Sequence, residues 1–288
     1  MKKRLKENAT AYLYIMPFLI LYIIFKFYTL IEGFIISFHS WKITDTMKWT
    51  GISNYLEILK DPYFTDALFY TFRYVVVSTP IYMVCAFFLA YAIESELIQR
   101  KGPFRMTVFL PYVLPVSVVV IIWRFMFSTY TGLINSLLGT NIQWLTNSMT
   151  VWPSIIIETL WWTVGYSTVL YMAGLQTVPN DMRDAGKIDG AGLVQTIWYL
   201  IIPYLKPTHF MILFLQLVAS FKLFGQAYLL TYGNPNGTSR TVIQYIYETG
   251  FQKFQMGKAS AASFVLFAVV LVCSVPVMRL MNRKEEEL

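Results

Sequence analysis

Apolar residues run in long continuous blocks along this chain, with short polar intervals between them. A helix needs about 20 mostly apolar residues to cross a bilayer. Six blocks meet that length, at roughly 11–38, 67–93, 106–127, 151–175, 207–231 and 257–281. They do not alternate apolar and polar as membrane-barrel strands do, so the pattern predicts helices. The fold expected is an all-α polytopic membrane protein with six transmembrane helices, residues 1–288 forming one membrane domain. The first block follows a basic N-terminus. It is too long for the apolar core of a signal peptide and lacks a small-residue cleavage site, so it reads as a retained span.

Composition agrees with the pattern. The chain is 56% hydrophobic and only 14% charged, against about 25% charged in soluble domains. The net charge of +7 is distributed by loop. Lys2, Lys3, Arg4 and Lys6 precede the first block; Arg100, Lys101 and Arg105 lie in the 94–105 interval. Arg183, Lys187 and Lys206 lie in the 176–206 interval, and Arg279, Arg283 and Lys284 at the end. The remaining intervals hold only Lys42, Lys48, Lys60, Arg240 and Lys253. The positive-inside rule places both termini and the 94–105 and 176–206 loops in the cytoplasm. The charge is thus read as membrane topology, and nucleic acid is not expected as a partner. Cys85 and Cys273 sit in apolar blocks as small buried hydrophobes, and no His, Cys, Asp or Glu cluster has metal-ligand spacing.

The 176–206 interval is a polar island. Pro179 ends the fourth block, and Asn180 is the expected N-cap of a short helix over 181–188. Asp181 and Asp184 suit its positive end. Gly186, Gly190 and Gly192 strip side chain from part of its surface, which lets another backbone approach. A second helix is expected from Ala191 to Ile202, stopped by Pro203 and Pro207. On these residues alone a partner-binding knob and an ordinary amphipathic connector are both open.

Mid-block polar residues usually face a bundle interior or a water-filled cavity. Thr159, Trp162, Thr163 and Tyr166 fall on one helical stripe, and Gln216 and Ser220 share a face of the fifth block. Aromatic faces cover sugar C–H surface while hydroxyls and amides exchange hydrogen bonds, so the stripe suits a sugar; plain helix packing is the other reading. Glu158 lies just beside it, positioned for a cation or an external protein. Lys26, Arg73, Arg124 and Lys222 lie near block ends, where snorkelling to the interface accounts for them.

Asp184-Ala185-Gly186, then Asp189-Gly190-Ala191, then Pro203, resembles the signature loop of ATP-binding-cassette importer permeases. Asp184 stands for the usual Glu, Gly186 for Ala and Ile197 for a common Phe. Phe104-Arg105 to Leu110-Pro111, Tyr171 to Gln176 with Pro179, and Ser220 to Phe224 with Leu229 to Pro235 extend the likeness over nearly the whole chain. It is similar to the carbohydrate-uptake branch of maltose-oligosaccharide and glycerol-phosphate type, first permease subunit. The resemblance implies a second homologous permease, an ATPase dimer gripping the cytoplasmic loop, an extracytoplasmic sugar-binding protein and an oligosaccharide substrate. It implies an inner or plasma membrane location and no catalytic residues here; ATP and Mg would bind the partner ATPase. By the same likeness Asp184, Ala185, Gly186, Asp189, Gly190, Ala191 and Pro203 would couple to the ATPase, and Thr159, Trp162, Thr163, Tyr166, Gln216 and Ser220 would meet the substrate. The alternative is an ATPase-independent secondary transporter or channel, whose sign would be an internal repeat with interrupted helices.

Overall fold

The computed structural model describes residues 2–42, 45–95 and 98–282. Arg283, Lys284 and the rest of the charged tail lie outside the described residues. The chain forms two compact units, one within Met1–Phe64 and Tyr245–Leu266, the other within Thr65–Gln244 and Phe267–Leu288.

The first unit opens with α1 (Lys2–Tyr22), a π-helical turn π1 (Ile23–Phe27) and α2 (Tyr28–Ser37), whose apolar side chains from Tyr12 to Ile35 are mostly exposed. A two-residue hairpin, β1 (His39–Ser40) with β2 (Lys48–Trp49), pairs antiparallel and brings Trp49 onto Phe38. The helix α3 (Ser53–Lys60) follows. Its buried Asn54 donates through Nδ2 to the carbonyls of Ser37 and His39, so backbone groups that leave α2 are satisfied by a side chain. Gly257 sits against the His39 carbonyl where no Cβ fits. Lys258 Nζ meets Glu57 Oε2 at 2.7 Å. That ammonium's hydrogen bond holds the Glu57 carboxyl below the usual carboxylate range.

The helix α4 (Pro62–Glu94) carries the chain through the second unit. Next come α5 (Lys101–Val113), α6 (Val116–Met126), the short α7 (Leu133–Leu138) and α8 (Val151–Gln176). Beyond α8 lie α9 (Asn180–Ile188), α10 (Leu193–Gln195), π2 (Thr196–Ile201), α11 (Ile202–Tyr204), α12 (Lys206–Phe221) and α13 (Gly225–Thr231). The chain closes with α14 (Val242–Tyr247), π3 (Glu248–Gln252) and α15 (Met256–Asn282).

Among the described residues Tyr12–Ser37, Pro62–Glu94 and Met256–Met281 are long and apolar enough to cross a membrane, and two bent pairs raise the number from three to five. The block expected over 106–127 is one such pair, α5 and α6 meeting at 98°. Leu114 is extended at ψ 140° because the ring of Pro115 disfavours the helical region for the residue before it. The other pair, Leu193–Tyr204 with Lys206–Phe221, bends by 73° at Leu205. The block expected over 207–231 is also interrupted: α12 stops at Phe221, Phe224 leaves helical geometry at φ −145°, and α13 starts at Gly225. The 26-residue α8 is as long as a span but carries the polar stripe, which lowers its hydropathy.

The backbones of α5 and α8 approach closely. A Cβ on Gly165 would lie 2.2 Å from the Val108 carbonyl oxygen, so only a glycine lets the two helices touch there. The core of this unit gathers Ala86, Phe87, Ala90 and Ile93 of α4 with Tyr171, Met172 and Leu175 of α8, and Ile197, Ile201, Leu205 and Ile212 beyond. It lies directly under the 176–206 loop.

Candidate functional site: a capped helical knob and a polar cavity

The knob is built from its ends inward. Pro179, extended at ψ 139°, occupies the N-cap position and Asn180 is the first helical residue. The cap expected at Asn180 therefore falls one residue earlier, because the fixed proline φ already turns the chain. At the other end Asp189 is the C-cap and Gly190 takes φ 74°. The Ala191 N–H donates to the Gly186 carbonyl at 2.9 Å and the Gly190 N–H to Lys187 at 3.1 Å. This is a Schellman turn, and it needs a left-handed residue where Gly190 stands. The Asp189-Gly190-Ala191 triplet thus ends a helix as a unit. A Cβ at Gly190 would meet nothing within 4 Å, so the space above it is open.

Gly192 is the N-cap of α10, and its N–H is satisfied by Gln195 Oε1 at 2.9 Å. Gly186 faces Leu200, whose Cδ1 would stand 2.7 Å from an added Cβ, so α9 lies tight against π2. Ile197, Ile201 and Leu205 fall at i, i+4 and i+8 and point into the core. Ile188, Leu193, Trp198 and Tyr199 remain exposed, Tyr199 at 77%. Gly186, Asp189, Gly190, Gln195 and Tyr199 line a surface groove of about 310 Å³. Asp184 is exposed and lies 3.6 Å from Lys187, a pair screened by water. Pro203 was expected to stop the second helix. The helix instead runs on through Pro203 to Tyr204, and the chain breaks at Leu205.

The knob is tied to the helices behind it. Glu94, at the end of α4, accepts from Lys101 Nζ at 2.9 Å, Arg105 Nη2 at 2.6 Å and Gln176 Nε2 at 3.2 Å. One carboxylate therefore joins the ends of α4, α5 and α8 where the loop leaves the bundle. Tyr204 adds a bond from its hydroxyl to the Thr177 carbonyl at 2.9 Å.

Deeper in this unit is a cavity of about 140 Å³. Thr159, Thr163 and Tyr166 of α8 and Gln216 and Ser220 of α12 line it together. Tyr74, Tyr112, Ser167 and Gln226 complete its polar lining. Tyr112 stacks on Tyr166 with ring centroids 5.3 Å apart, and Gln216 Nε2 donates to Ser220 Oγ at 3.2 Å. Trp162 is not part of this wall: its indole N–H donates to the Leu114 carbonyl at 3.1 Å, the group freed where α5 stops before Pro115. Ser167 extends the α8 stripe by one more helical step and was legible there. Tyr74, Tyr112 and Gln226 come from other helices and no spacing in the chain connects them to the stripe.

A bundle of bent helices with a polar cavity and a glycine-capped knob matches one known family. The model for the binding-protein-dependent transport system inner membrane component covers residues 50–285. The chain belongs to this family. The permease is 30% identical over 290 residues to the probable ABC transporter permease protein YurN of Bacillus subtilis (strain 168), covering 98% of this chain and 99% of the relative. It is also 30% identical to the arabinooligosaccharides transport system permease protein AraP of the same organism, over 93% of this chain and 87% of that one. A chain of a bacterial ABC transporter for import of the acidic polysaccharide alginate shares the fold, with a TM-score of 0.84, 21% identity and 98% coverage of both chains. The same holds for a structure of the alginate transporter in complex with an alginate pentasaccharide-bound periplasmic protein, at TM-score 0.83 and 20% identity. The permease is the inner membrane component of a binding-protein-dependent transport system, with the all-α fold of an importer permease.

Proposed function

We propose that this permease carries an oligosaccharide across the cytoplasmic membrane, with both termini and the 176–206 loop on the inner side. Its two compact units belong to one membrane domain. The path is shared with a second, homologous permease and supplied by an extracytoplasmic sugar-binding protein. The knob docks into a pair of ATPase subunits, which bind the ATP and Mg.

The observation that carries this reading is the build of the knob. Its inner face, Ile197, Ile201 and Leu205, is locked in the core, while Ile188, Trp198 and Tyr199 are left exposed around an open glycine turn. An exposed apolar tip on a rigidly anchored helix pair suits a partner's cleft. Asp184 and Asp189 offer carboxylates at its rim for cationic or backbone donors. When the cleft opens or closes with the ATP cycle, the anchored face passes that displacement to α4, α8 and α12, the helices around the cavity. Thr159, Thr163, Tyr166, Gln216 and Ser220 would then exchange hydroxyl hydrogen bonds with the sugar, Tyr112 and Tyr166 would cover its C–H faces, and Trp162 would hold the wall by its bond to Leu114.

The test is crosslinking. Cysteines placed at Ile188 and Tyr199 in the assembled transporter should capture the ATPase subunit with a short bifunctional reagent. Capture of a soluble extracellular reagent instead, with no ATPase bound, would remove both the coupling role and the topology.

A further inference from the structure

Glu158 is fully buried beside the cavity and only half satisfied. Its Oε2 accepts from Thr159 Oγ1 at 2.9 Å, and Thr159 lines the cavity. Its Oε1 has no hydrogen-bond partner. The neighbouring tyrosines cannot supply one. Tyr82 donates its hydroxyl proton to the Ile156 carbonyl at 3.1 Å, so in its 3.0 Å bond with Tyr74 it is the acceptor and Tyr74 the donor. Both phenolic protons are committed elsewhere. A buried acceptor without a donor is costly, and such a group points to something that completes it.

The charges around it are equally one-sided. Among the described residues lining the cavity there is no Lys, Arg or His. Arg73 is exposed and lines, with Trp152, a neighbouring space of about 350 Å³ that shares Tyr74 with the cavity. The Arg124 guanidinium stands 5.8 Å over the Tyr232 ring, and Lys222 is exposed. A sugar carboxylate entering the cavity would lose its water and find no counter-charge on this chain's lining. It would instead meet a wall whose buried group is itself an acid. Ionised, Glu158 repels it; protonated, Glu158 still supplies no positive charge. A neutral sugar carries no such charge penalty, because its hydroxyls can exchange hydrogen bonds with the Tyr, Ser, Thr and Gln groups of the wall and donate to Thr159, whose own proton is held by Glu158.

We propose that Glu158 is a specificity-determining residue of the path, which selects neutral oligosaccharides and rejects uronate-containing ones. This rests on the reading of the cavity as the sugar site. It sets the permease apart from the fold relatives described for the acidic polysaccharide alginate.

The experiment uses membrane vesicles carrying the assembled importer. The permease bears Thr163→Cys, with Cys85→Ala and Cys273→Ala so that a maleimide reports on the cavity alone. Maltotriose, arabinotriose and trigalacturonate are compared by the concentration that halves the labelling rate. At least one neutral trisaccharide should protect, and trigalacturonate should need roughly tenfold more or fail altogether, as expected for an uncompensated like charge. Adding Glu158→Gln should bring the acidic-to-neutral ratio down at least several-fold, since it removes the acid and keeps an acceptor for Thr159. Equal protection by acidic and neutral sugars would overturn the selectivity, and an unchanged ratio in Glu158→Gln would remove Glu158 from it. Protection by none of the three would instead overturn the cavity reading itself, a result distinct from either.

Discussion

Arg105 Nη2 donates to Glu94 Oε1 at 2.6 Å, closing an ion pair between the end of α4 and the first turns of α5. The Glu94 side chain is only 10% exposed, and Lys101 and Gln176 converge on the same carboxylate. Replacing Glu94 by alanine removes the carboxylate from both cations and leaves Lys101 only its bond to the residue-94 backbone carbonyl at 3.1 Å. Hydrogen bonds to charged groups contribute about 1.5–3 kcal/mol each, and the half-exposed cations recover part of that from water. The Glu94→Ala permease is expected to lose about 1–3 kcal/mol of stability. The check is the thermal unfolding midpoint of the purified transporter, with Glu94→Gln intermediate because it keeps an acceptor oxygen. An unchanged midpoint in Glu94→Ala would show that this junction does not hold the helix ends.

Gly190 separates two demands that a sequence motif merges. Alanine there must adopt φ 74°, a strain of about 1 kcal/mol, whereas asparagine tolerates that region and preserves the cap. Because a Cβ at this site meets nothing within 4 Å, the cost of Gly190→Asn within the chain is backbone strain, and a loss of coupling without a loss of stability points to a partner. Gly190→Trp is expected to reach the membrane at normal levels yet lose sugar uptake and sugar-stimulated ATP hydrolysis, with Gly190→Asn partly impaired. Uptake and ATPase assays on the same vesicles decide it, and wild-type values for Gly190→Trp would remove the coupling role.

Gly165 and Gly102 should respond in opposite senses to the same change. A methyl at Gly165 collides with the Val108 backbone, which cannot swing aside as a side-chain tip does. Gly165→Ala is expected to cost roughly 1–3 kcal/mol by forcing α5 and α8 apart. Gly102, in the first turn of α5, has nothing within 4 Å, and alanine there should be neutral or slightly stabilising through helix propensity. Paired thermal melts check both; equal effects would contradict the packing of α5 on α8.

Glu57 gives the first unit a pH dependence of known sign. Its carboxyl is held below the ordinary value chiefly by the hydrogen bond from Lys258 Nζ. A depressed folded-state value means that the group's contribution is present above the unfolded value and fades as pH falls through the folded one. Glu57 is half-exposed, so the effect is small. Melting curves from pH 7 down to about pH 3 should show a decline that is shallower in Glu57→Gln. Superimposable curves for the two proteins would mean that the pair adds nothing in solution.

The parts legible in the chain were those governed by local periodicity and local backbone chemistry. Apolar block lengths marked α4, α8 and α15 because a helix buries or exposes residues with a fixed repeat. Gly190 stood out in the chain only as a position with no side chain; that it ends a helix in the left-handed region came from the structure. Thr159, Thr163 and Tyr166 could be placed on one face by the same fixed repeat, and Gln216 and Ser220 on another. Breaks inside apolar blocks carry local signs too, Pro115 after Leu114 and Gly225 after Phe224, but block length alone passes over them.

What the order of residues alone established is an all-α membrane protein with a polar island between its fourth and fifth blocks, since composition and helical repeat are properties of a single segment. Tertiary packing decided the rest: that α8 and α12 turn their polar faces to the same cavity, that Tyr74 and Tyr112 join them there while Trp162 turns to Leu114, and that Glu158 is sealed behind Thr159 with one oxygen unmet. Those are relations between segments far apart in the chain. They depend on crossing angles and close approaches, such as Gly165 on Val108, that no single segment encodes.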